Sequence, residues 1–64
     1  MSSEIENISS ALEELSDGKN PDKALAKLMD EKHAKLFKEG LEQGDKSKIM
    51  RALIGTLSHY EATH

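Results

Sequence analysis

Ile5, Ile8, Leu12 and Leu15 recur at spacings of three, four and three residues, which sets them on one narrow stripe of an α-helix. Ala11 lies beside that stripe, and Glu, Asn and Ser fill the opposite side. Ser3 and Glu6 have the capping-box spacing, in which a hydroxyl and a carboxylate three residues apart satisfy backbone amides at a helix start. Gly18, after Ser16 and Asp17, can take the left-handed conformation that ends many helices. The pattern predicts a first helix over about 3–17.

Asn20-Pro21 is the clearest punctuation in the chain. Proline pushes the residue before it out of the helical region and itself suits a first helical position, so Asn20 is expected to cap a helix over about 21–43. The apolar face drifts within this segment. Leu25, Leu28 and Met29 point one way with Leu36, whereas Ala34, Phe37 and Leu41 point a third of a turn or more away. One continuous central helix packed between two neighbours is favoured, since no Gly or Pro falls between Lys27 and Lys38. The alternative is a break near Asp30, with Asp30-Glu31 capping a new helix. Gly40 inside a helix costs about 1 kcal/mol relative to alanine, and fraying from Gly40 to Gly44 is expected.

Gly44-Asp45 reads as a stop followed by a cap. Ile49, Met50, Leu53, Ile54, Leu57 and Tyr60 then form the widest amphipathic stripe in the chain, on a third helix over about 45–61. That stripe must be covered by the first two helices or by a copy of itself. The sequence contains no valine, few aromatics and no apolar alternation between hairpin turn residues, so no strand is predicted. The expected architecture is all-α, a small three-helix bundle, with residues 1–64 as a single helical domain.

Length changes this picture, because a chain of 64 residues builds only a marginal core unless it is stapled, metal-bound or oligomeric. There is no cysteine, which removes disulfides, thiolate zinc sites and cysteine nucleophiles. Oligomerisation or a partner protein is the remaining supplement. The start Met1-Ser2-Ser3-Glu4 has neither the basic residues nor the apolar run of a signal peptide, and no apolar stretch approaches a membrane span. A cytoplasmic protein without membrane attachment is expected.

Nine Lys and Arg against twelve Asp and Glu give a net charge of -3, which argues against dominant attraction to phosphate backbones. The charge is unevenly placed. Glu4, Glu6, Glu13, Glu14 and Asp17 precede the first basic residue, and every Lys and Arg falls between Lys19 and Arg51. The acidic first helix either complements the basic remainder within the molecule or forms an exposed recognition face.

Candidate chemistry is sparse. His33, His59 and His64 are the side chains suited to proton transfer near neutral pH. His59 and His64 are five apart, off the three- or four-residue spacing that puts two ligands on one helical face. Asp30, Glu31 and His33 could form an acid–base group, but they equally make an ordinary solvated turn. The serines lie at caps or on polar faces, outside any nucleophile-elbow or phosphate-loop context. No catalytic, cofactor-binding or metal residues are assigned, and an enzyme is not expected.

Two functional readings remain. The favoured one is a small helical protein–protein interaction module, acting as regulator, inhibitor or accessory subunit and self-associating. In it Ile49, Leu53, Leu57 and Tyr60 form the core or seam, and Glu6, Glu13 and Glu14 steer the partner. The alternative is a DNA-associated transcriptional regulator presenting Lys46, Lys48 and Arg51 from the start of helix three. It is weakened by Glu39, Gln43 and Asp45, which stand where a helix-turn-helix buries apolar residues around its turn.

Overall fold

The structure, a computed structural model, describes residues 3–63. It is all-α, with three α-helices and one short 3-10 helix: α1 (Ser3–Ser16), η1 (Lys23–Leu28), α2 (Glu31–Gln43) and α3 (Lys46–Thr63). No strand occurs among the described residues. This is the small three-helix bundle that the hydrophobic pattern predicts. Its radius of gyration, 10.6 Å, equals the roughly 10.7 Å expected of a compact domain of this length.

α1 buries Ile8 and Leu15 of the predicted stripe and Ala11 beside it. The Ser3 side chain of the expected capping box lies outside the described residues. At the other end Gly18 adopts φ +83°, its N–H donates to Leu15 O at 3.1 Å, and the Lys19 N–H donates to Glu14 O at 2.9 Å. This pair of bonds satisfies carbonyls that the end of the helix would otherwise leave open.

The central segment departs from the continuous helix favoured above. The chain breaks at Met29 (φ -105°, ψ 151°) and Asp30 (φ -67°, ψ 163°), both extended. The stretch before the break is a 3-10 helix capped by Asp22, whose Oδ1 accepts from Ala24 N–H at 2.9 Å. Asn20 is therefore not the cap, and the buried Pro21 precedes the helix rather than opening it. The drift of the apolar face supplies the reason. In one straight helix the Leu25–Met29 group and the Ala34–Leu41 group would point different ways. Breaking the helix lets Ala26, Met29 and Phe37 enter one core, with Leu25, Ala34, Leu36 and Leu41 packed against it.

α2 does not fray at Gly40. It runs intact to Gln43, where Gly44 in the left-handed region (φ 65°) ends it. The N–H groups of Gly44 and Asp45 both donate to Gly40 O. Asp45 then caps α3 as predicted, its Oδ1 accepting from Ser47 N–H at 3.0 Å and Lys48 N–H at 3.3 Å.

α3 is the centre of the bundle. Both α1 and α2 pack against it, while α1 and α2 make no close backbone approach to each other and η1 bridges them. Ile49, Ala52, Leu53 and Thr56 face inward from α3 and meet Phe37 of α2 and Ile8 of α1 in the fully buried centre.

Candidate interaction surface

Two neighbours on one side cannot cover all of a wide stripe, and the part of α3 left open is specific. Met50 is 43% exposed and Ile54 49%, one turn apart and about 100–140° around the helix from Ile49. Half-buried Leu57 continues their line. Ile49 and Leu53, read as core or seam, are both sealed inside the monomer. Half-buried Tyr60 turns inward, its hydroxyl donating to Leu28 O at 2.5 Å. That bond ties the end of α3 to the end of η1. The stripe thus divides into a covered line and an open one, which spacing alone does not resolve.

On α1, Glu6, Glu13 and Glu14 are all exposed. No lysine or arginine lies within 4.0 Å of a carboxylate among the described residues. Of the two readings of the charge asymmetry, direct pairing between the acidic helix and the lysines is not made within the molecule. Leu12, Glu13, Ser16 and Asp17 line a shallow depression at the end of α1. Lys23, Ala24, Ala26, Lys27 and Lys38 line a cleft between η1 and α2, a three-lysine grouping hidden in the sequence because Lys38 joins it from another element.

The three basic residues of the DNA reading are placed differently. Lys46 and Arg51 are exposed, but half-buried Lys48 donates from Nζ to Gln43 Oε1 at 2.6 Å across the turn between α2 and α3. Arg51 instead shares a cleft with Lys32, His33, Lys35, Leu36 and Glu39.

One polar pair, read from sequence as a solvated turn, is organised. His33 Nδ1 and Asp30 Oδ1 are 2.5 Å apart, from the cap and the third residue of α2. The His33 hydrogen bond holds the Asp30 carboxyl below its ordinary range, with a smaller electrostatic contribution from the same imidazole. The ring rests on Gly55 of α3, where a β-carbon would lie 2.7 Å from His33 Cδ2. The cap-plus-three spacing of Asp and His was the available signal. His59 stands edge-on to Tyr60, ring centroids 6.3 Å apart, and His64 lies outside the described residues. Among the described residues no three His, Asp or Glu side chains gather to hold a metal ion, and no helix is long and apolar enough to cross a membrane.

Fold and surface together define a small all-α three-helix bundle with an open apolar line on its central helix and segregated charge. No protein-family model matches the chain, nor does any curated protein or solved structure.

Proposed function

We propose that this bundle is a protein–protein interaction module that self-associates and acts as a regulator, inhibitor or accessory subunit, with no catalytic role. The observation that carries the reading is the exposure of Met50 and Ile54 on the helix around which the bundle is built. With Leu57 they form an apolar line at spacings of four and three residues, the geometry by which one helix lays its face against another. A domain this short gains proportionally more from covering such a line than a larger one does. Glu6, Glu13 and Glu14 remain exposed for steering. Sedimentation equilibrium over a wide concentration range tests it. The wild-type protein is expected to associate, with a melting temperature that rises with concentration, and Ile54→Lys is expected to be monomeric with unchanged helicity. A wild-type monomer at every concentration would remove self-association.

A second reading is favoured by the cleft in which Arg51 joins Lys32 and Lys35: contact with a nucleic-acid backbone. Duplex binding that falls steeply with salt and weakens in Arg51→Glu would support it; no binding at low salt would end it.

A further inference from the structure

We propose that the cleft of Lys23, Lys27 and Lys38 receives the acidic end of α1, with Glu13 and Asp17, from a second copy of this chain. Three lysines line the cleft together with Ala24 and Ala26, and no carboxylate is in its lining. None of the three lysines is ion-paired among the described residues. Lysines that share a cleft repel one another; the Asp22 carboxylate stands at its edge, accepting from Ala24 N–H at 2.9 Å, and a further anionic occupant relieves the repulsion that remains.

The complementary surface lies on the same molecule and is equally unsatisfied. Glu13, Glu14 and Asp17 crowd the C-terminal end of α1, where the helix dipole is already negative, and the last turn of α1 holds no basic residue. The depression there pairs Glu13 and Asp17 with half-buried Leu12, so it offers an apolar contact to Ala24 and Ala26 as well as charge. Glu13 and Asp17 are one helical turn apart, about 6 Å along the axis. Lys23 and Lys27 are four residues apart in a 3-10 helix, about 8 Å along its axis and about a third of a turn around it, and both line the cleft, where their flexible stems can bring the ammonium groups to the two carboxylates.

A second copy is favoured over a nucleic acid because the chain as a whole is acidic, which repels a long polyanion but leaves a local contact unaffected beyond the screening distance. In a two-fold pair the contact is made twice, α1 of each copy on the cleft of the other. This inference rests on the self-association proposed above and adds a charged contact to the apolar one.

The test is a charge exchange followed by sedimentation at low salt, with circular dichroism confirming that each variant keeps its helicity. Lys27→Glu with Lys38→Glu makes the cleft acidic; Glu13→Lys with Asp17→Lys makes the end of α1 basic. Each double variant alone is expected to associate at least about tenfold more weakly than wild type. An equimolar mixture, in which opposite charges again face each other, is expected to recover association, and added salt to weaken it. A mixture no tighter than its components overturns the contact. So does duplex DNA that binds wild type, is lost with the cleft lysines, and leaves the mixture unrescued. A wild-type dimer indifferent to both double variants removes this contact alone, whereas a wild-type protein that stays monomeric removes self-association with it.

Discussion

Gly40 of α2 lies against Ile49 of α3 so closely that a β-carbon at position 40 would sit 2.8 Å from Ile49 Cγ1 and 3.0 Å from the Ile49 backbone nitrogen. The chain reverses only a few residues later, at Gly44, so the helices have little length over which to diverge. Gly40→Ala is expected to lower stability by about 1–3 kcal/mol through overpacking, outweighing the roughly 1 kcal/mol that alanine gains over glycine in a helix. Gly55→Ala should cost less, because it meets the far end of the His33 side chain rather than backbone. Urea unfolding followed by circular dichroism ranks the two. A more stable Gly40→Ala would show that α2 and α3 can separate without loss.

The Asp30–His33 pair gives a pH dependence of definite sign. Asp30 has its carboxyl lowered from an ordinary value of 3.8, chiefly by the His33 hydrogen bond. A carboxyl with a lowered folded value contributes stability that is fully present above its unfolded value and is lost as pH falls through the folded one. Asp30→Asn, which removes the charge and keeps the shape, should therefore melt below wild type at about pH 5–6 and converge with it towards about pH 2. Thermal melts of both proteins across that window test this. A gap that stays constant to the acid end would mean the charge is not what the site stabilises.

The devices that stop and start helices were legible because they depend on local geometry. Gly18 and Gly44 take the left-handed conformation and Asp45 caps α3, each as its residue type predicts. The break at Met29 and Asp30 carried a weaker mark, the drift of the apolar face and Asp30-Glu31 as a candidate cap. Extended backbone is open to every residue, and only the need to turn Met29 and Phe37 into one core demands it. The same limit applies to the candidate surface. Ile49 and Met50 are equally apolar in sequence, and which is covered depends on the side from which α1 and α2 approach α3. Gly40 read as a weakness of α2 until the neighbour it admits, Ile49, was known. Lys38 joins Lys23 and Lys27 only through the fold.

Tyr60 reaches back 32 residues to donate its hydroxyl to Leu28 O. Leu28 closes η1 immediately before the break, so this bond anchors the segment whose backbone leaves helical geometry. Tyr60→Phe should lower stability by about 1 kcal/mol, and hydrogen exchange should quicken across η1 more than across α1 or α2. Uniform quickening would assign Tyr60 a general packing role instead.

Thr56 is 1% exposed, and its hydroxyl finds no protein partner. It lies on the inward face of α3, in the fully buried centre with Phe37, Ile8, Ile49 and Leu53. A hydroxyl in such a place gives up its hydration without replacement, at a cost of about 1–3 kcal/mol on the scale of protein substitutions. Valine has nearly the same outline and nothing to satisfy. Thr56→Val is therefore expected to raise stability by about 1 kcal/mol, part of the difference being lost to small shape changes in a close-packed core. The opposite result in a urea titration, a less stable Thr56→Val, would show that the hydroxyl is bonded after all, and that α3 is held by a polar contact on its buried face.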